Sequence, residues 1–138
     1  MEEKVIHKEL VVPGVLSSLE TVHSWATSAL GELRLTESAL HNILLAISEA
    51  VTNAIRHGSK ELFERSVMVS LDASSSGLLV AVDDEGEGFD PMAVPDPTQG
   101  DRIYQPGGRG IFLLRALAHE LEVHHSGHGT KVRFKFFL

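Results

Sequence analysis

No cysteine occurs among the 138 residues. That absence excludes disulfides, thiolate catalysis and cysteine-based zinc sites, and it accords with a reducing compartment. Positive charge is also scarce. Twelve Lys and Arg against 19 Asp and Glu leave a formal net charge of −7, which argues against non-specific attraction to nucleic acid or an anionic membrane. No apolar run approaches the ~18 residues that a membrane-spanning helix needs. The N-terminal stretch MEEKVIHKEL lacks the basic start and apolar core of a signal peptide. These absences together point to the cytoplasm. Nor does any repeat, low-complexity tract or composition break mark a second domain, so residues 1–138 are expected to form one domain around one core.

What is present alternates between two periods. Residues 4–11 read as an edge strand, broken by Pro13 and Gly14, after which Ser17 and Glu20 have the spacing of a capping box. A first helix should follow through Trp25 and Leu30. Thr36 is a suitable N-cap for a second, long helix, with Glu37 in its first turn. Leu40, Ile43, Leu44, Ile47, Val51 and Ala54 recur at helical spacing as its core stripe, and Gly58 offers a stop. From Ser66 the pattern becomes VMVSLD and LLVAVDD, a strand pair joined through Ser-Ser-Ser-Gly. LLVAV is apolar at every position, as expected of a mid-sheet strand covered on both faces. IFLLRALAHEL then reads as a helix beginning near Gly108, and two last strands flank SGHG. Val132, Phe134 and Phe136 alternate with Lys131, Arg133 and Lys135, giving one buried face. Trp25 and the phenylalanines are assigned to the core. The fold class is α+β: a two-layer sandwich, with a mostly antiparallel mixed sheet and helices packed on one face.

Four short segments carry chemistry. In SEAVTNAIRHG, Glu49, Asn53 and Arg56 fall on one sector of the second helix, away from the core stripe. Alone this is an ordinary solvated face. Asp84-Glu85-Gly86-Glu87-Gly88 ends the most apolar strand. An acidic turn is the plain reading, and an EF-hand is excluded because Val94 falls where the bidentate Glu belongs. Two such glycines also let backbone pass close to a flat ligand, while a fixed carboxylate accepts hydrogen bonds. A carboxylate suits the exocyclic amino group of adenine. Gly107-Gly108-Arg109-Gly110 opens an apolar helix, where free N–H groups and the helix dipole favour an anion. Neither a P-loop nor a Gly-x-Gly-x-x-Gly fingerprint is present. Gly127-His128-Gly129-Thr130 is, by itself, a hairpin turn.

The order of these segments resembles the ATP-binding superfamily of DNA gyrase B subunits, histidine kinases and mismatch-repair ATPases. Within it, SEAVTNAIRHG, VDDEGEGFDP and GGRGIFLLRAL look like the anti-sigma factor serine kinases of bacterial partner switching. The resemblance runs over residues 40–137 and implies an ATP- and Mg²⁺-dependent protein serine/threonine kinase. Its substrate would be an anti-anti-sigma (antagonist) protein, with a sigma factor as a second partner, no direct contact with nucleic acid or membrane, and a homodimeric state. It implies Glu49 as general base and Asn53 as the magnesium ligand. Asp84 would read adenine, with Gly86 and Gly88 giving the base room. Gly108 and Gly110 would approach the phosphates, the segment 90–107 would form a nucleotide lid, and Thr130 would support Asp84 or a water. The family pattern leaves Arg56 and Arg109 variable, and Arg109 would add a charge at the phosphates. Three other readings compete: a small ATPase in which Glu49 activates water, a detached histidine-kinase catalytic domain, and a module that sequesters a sigma factor without kinase activity.

Overall fold

The computed structural model describes residues 6–85, 108–126 and 129–138. Five strands form one sheet: β1 (Ile6–Pro13), β2 (Ser66–Ser74), β3 (Gly77–Asp84), β4 (Glu120–Ser126) and β5 (Gly129–Phe136). Their spatial order is β1-β2-β3-β5-β4 and all four pairings are antiparallel. The three helices are α1 (Ser18–Leu30), α2 (Glu37–Asn53) and α3 (Gly108–Leu117). None of them is long and apolar enough to cross a membrane.

One core joins the layers. Val22, Ala26 and Leu30 of α1 and Ile43, Ile47, Ala50 and Val51 of α2 are buried against Val80, Val82 and Phe134 of the central strands. The helical stripe read from the sequence is therefore the face that meets the sheet, and burial of such side chains, at roughly 1.5–3 kcal/mol each, dominates the packing. Strand β3 is central, as its apolar run predicts. Only one of its faces is closed, however: Leu78, Val80 and Val82 are buried, whereas Leu79 and Ala81 are half-buried. The helices pack on the first face, and the second carries the polar side of β5, so apolar continuity did not mean cover on both sides.

Three further local expectations are corrected. The capping box does not form. Ser17 already has helical φ/ψ and no side-chain cap bond, because the chain reaches α1 through tight turns, and Ser18 Oγ instead donates to the Pro13 carbonyl at 2.7 Å. Thr36, by contrast, has extended φ/ψ and accepts the Ala39 N–H at 3.1 Å, as an N-cap should. The third helix ends at Leu117, and Glu120 and Leu121, expected within it, pair in β4 with Lys135 and Phe134. Finally, Phe63 and Phe137 are exposed at 70% and 51%, so not every phenylalanine is core. The second sits past the end of β5, stacked on His119 at 4.8 Å.

Candidate functional site

Helix α2 presents Glu49 and Asn53 one turn apart, both half-buried, separated by roughly 6 Å of axial rise. The amide nitrogen of Asn53 is buried and has no hydrogen-bond partner among the described residues. An orphaned polar atom of this kind is rare in a folded interior. Directly after Asn53 the helix widens into a π-helical turn, Ala54–Gly58, in which the Ser59 N–H reaches back five residues to the Ala54 carbonyl at 2.8 Å. Ser59 fastens that turn. Its buried hydroxyl bridges the carbonyls of Gly14, at 2.8 Å, and Ile55, at 2.9 Å. The widening changes one assignment. Arg56, placed with Glu49 and Asn53 by helical spacing, lies beyond the α-helix and is exposed, because the 100° step no longer applies there.

The π-helical turn rests on β3 and β5. There it meets Asp84, the last residue of β3, which is only 9% exposed. The Thr130 N–H donates to Asp84 Oδ1 at 3.2 Å. Support of Asp84 by Thr130 is thus a main-chain contact, while the Thr130 hydroxyl bonds His125 Nδ1 at 3.1 Å. Gly129 makes this approach possible. It has φ +143°, and a β-carbon there would press into the Asp84 main-chain oxygen. Gly58 does the same from the other side, since its own β-carbon would overlap the Asp84 carboxyl group. Neither Gly58 nor His125 was singled out for this role from the sequence. Gly58 ends the helical run, as expected of a stop, and does so without a positive φ.

A cleft of about 480 Å³ opens beside Asp84, Gly129, Thr130 and His125 and continues past Asp83 and Lys131. Glu49 and Asn53 do not line it; with Asp83, Lys131 and Arg133 in its wall, it opens on the sheet face that the helices leave uncovered. Burial pushes the Asp83 carboxyl up from the usual carboxylate range, with Lys131, 3.8 Å away, and Arg133 opposing it. Burial, and then the neighbouring His124, holds His125 below its ordinary range. Gly108, Arg109 and Gly110 form the opening turn of α3, which packs on α2. Gly86, Gly88 and the expected lid at 90–107 lie outside the described residues.

Residues 12–136 match the sequence profile of the histidine kinase-like ATPase domain. The chain belongs to that family. Among similar family members, the serine-protein kinase RsbW of Bacillus subtilis is 26% identical over 92% of this chain and 84% of its own length. The RsbW of Staphylococcus aureus is 23% identical over 90% and 82%. Among solved structures, the chain containing the RsbU and RsbW domains of a Mycobacterium tuberculosis protein superposes with a TM-score of 0.68 at 21% identity. That match covers 96% of this chain but 32% of the other. The histidine kinase domain of a blue-light-activated kinase from Erythrobacter litoralis superposes at 0.54 with 24% identity, over 91% of this chain and 61% of its own. Both likenesses establish the fold: an ATPase-domain sandwich of the histidine-kinase type.

Proposed function

We propose that this domain is an anti-sigma factor-type serine kinase, which binds Mg-ATP and phosphorylates an antagonist protein on serine. One observation carries the reading: α2 bears a carboxylate and a carboxamide one turn apart, and then widens to seat its end on a buried, bonded Asp84. Kinship to serine-protein kinases named RsbW supports it.

Each residue has a task. The Asp84 carboxylate, held by the Thr130 N–H, accepts the exocyclic amino group of adenine. Asn53 offers a hard carboxamide oxygen, and Mg²⁺ commonly takes one protein oxygen and completes its shell with phosphates and waters. No described residue bonds its amide nitrogen, so nothing there fixes which way the carboxamide turns. When bound, the ion neutralises phosphate charge. Glu49 accepts the proton of the attacking serine hydroxyl as its oxygen bonds the γ-phosphorus and ADP leaves with the bridging oxygen. Phosphoryl transfer depends mainly on positioning and charge, so this small set of groups suffices. From the resemblance, Gly86 and Gly88 flank the base, Gly108 and Gly110 with Arg109 meet the phosphates, and a homodimer binds a sigma factor.

The test is incubation with ATP, Mg²⁺ and candidate antagonist proteins, read by mass spectrometry. Phosphoserine is expected with the wild type. Glu49→Gln should still bind ADP and lose transfer, and full transfer by that variant refutes the assignment. Phosphate release without phosphoserine would make the domain a hydrolase. Nucleotide binding with neither product would make it a sequestering module.

A further inference from the structure

The Asp84 carboxyl group lies between two elements. On one side the Thr130 N–H donates to Oδ1 at 3.2 Å. On the other is Gly58, closing the π-helical turn. A β-carbon on Gly58 would lie 2.6 Å from Oδ1 and closer still to Cγ and Oδ2. Real β-carbons do not come so near. Main-chain φ plays no part here, because Gly58 is not among the positive-φ residues. The backbone tolerates a side chain; the carboxyl group does not. All three atoms met belong to the Asp84 side chain and none to its main chain, so a methyl at position 58 must turn that whole side chain about χ1, carrying the carboxylate off the Thr130 N–H.

From this we infer that Gly58 is a positioning residue for base recognition, setting how strictly the nucleotide site demands an exocyclic amino group. The inference rests on Asp84 as the adenine reader proposed above. Its logic is local. A carboxylate pinned by Thr130 offers its lone pairs in one direction, and hydrogen bonds to a charged group discriminate strongly only when geometry is held. The π-helical turn supplies that hold. It adds a residue to the helix immediately after Asn53 and brings main chain, without a side chain, against the carboxylate. The seating is fixed from behind by Ser59, bonded to both Gly14 and Ile55. Base recognition on β3 and the metal-ligand helix therefore share one rigid contact.

The experiment compares ADP with purine riboside diphosphate, which lacks the 6-amino group, by calorimetry with Mg²⁺ on wild type and Gly58→Ala. Wild type should prefer ADP by about tenfold to a hundredfold. In Gly58→Ala the ADP affinity should fall until the two ligands bind alike, with purine riboside diphosphate affected by less than about threefold. In the nucleotide-free protein the Thr130 amide resonance should shift upfield as its charged acceptor leaves. Equal loss for both ligands, or preserved preference for ADP, overturns the inference while leaving Asp84 as reader. A wild type that does not discriminate overturns both. If Gly58→Ala fails to fold, Gly58→Ala/Asp84→Ala decides. Recovery of folding in the double variant supports the carboxyl contact, and failure of both, with Asp84→Ala alone folded, refutes it.

Discussion

Replacing Asn53 with alanine should make the nucleotide-free protein more stable and the nucleotide-bound protein less so. The amide nitrogen is buried without a partner among the described residues. Leaving such a group unsatisfied costs about 1–3 kcal/mol, and alanine removes that cost. Alanine is also the better helix former by up to about 0.5 kcal/mol, a gain reduced because Asn53 ends α2. Against this, the shortened side chain forfeits packing of roughly 0.5–1 kcal/mol. The net expectation is a gain of about 1–2 kcal/mol, or about 3–10 °C in the thermal midpoint for a chain of this size.

Mg-ADP should reverse the order. At a hundred times its dissociation constant a ligand adds about 2.7 kcal/mol to a protein that binds it only when folded. The wild type should rise by that amount, whereas the variant, lacking the carboxamide oxygen, should respond weakly or not at all to magnesium. Urea denaturation of both proteins, with and without Mg-ADP, measures all four stabilities. A nucleotide-free Asn53→Ala protein less stable than wild type would refute the reasoning, since the amide would then serve the fold.

Thr36→Ala removes the acceptor of the Ala39 N–H and should cost about 1 kcal/mol in urea denaturation without altering nucleotide affinity. Gly129→Ala forces φ +143° on a residue with a β-carbon, about 1–3 kcal/mol, and adds a collision with the Asp84 main-chain oxygen; both stability and ADP affinity should fall. His7 bonds the carboxylate of Asp72, directly opposite on β2, and Glu9 at 2.9 Å, and these two raise its pKa above the ordinary 6.5, Asp72 foremost. A raised folded-state value stabilises fully below about pH 6.5 and is lost as pH climbs through it. The urea midpoint of wild type should therefore exceed that of His7→Gln in mild acid and converge with it in mild alkali. A gap that is constant with pH would refute this.

Much of the fold was legible because its signals are local. The Ile43-Ile47-Val51 stripe, the Thr36 cap and the alternation of Val132, Phe134 and Phe136 each depend on neighbours within a few residues, and each appears where the spacing puts it. What failed depends on distant partners. Ser17 and Glu20 have capping-box spacing, but the path from β1 into α1 turns Ser17 away. The apolar run 111–117 does not announce that residues 120 and 121 will pair with β5. Phe63 and Phe137 read as core by composition, yet the elements that carry them end at the surface. At the site, Asp84 and Thr130 were foreseeable as partners only through resemblance, and the contact proved to be main chain to side chain. The π-helical turn left no mark at all, because AIRHG is unexceptional helical sequence whose widening is imposed by the tie of Ser59 to Gly14 and by the packing against Asp84.

Several departures from ordinary folding rules meet around Asp84. An orphaned amide at Asn53, a buried carboxylate at Asp84, two positions that exclude a β-carbon on either side of it, and a π-helical turn joining them are each unfavourable or restrictive for stability. They occupy the end of one helix and the ends of two adjacent strands. Their concentration has a common cause if the contact between helix and strand is itself the working part: widening α2 by one residue after Asn53 seats the helix on Asp84. The spacing between metal-ligand helix and base-reading strand is then fixed before any nucleotide arrives. A site held in this way spends little of its binding energy on ordering itself.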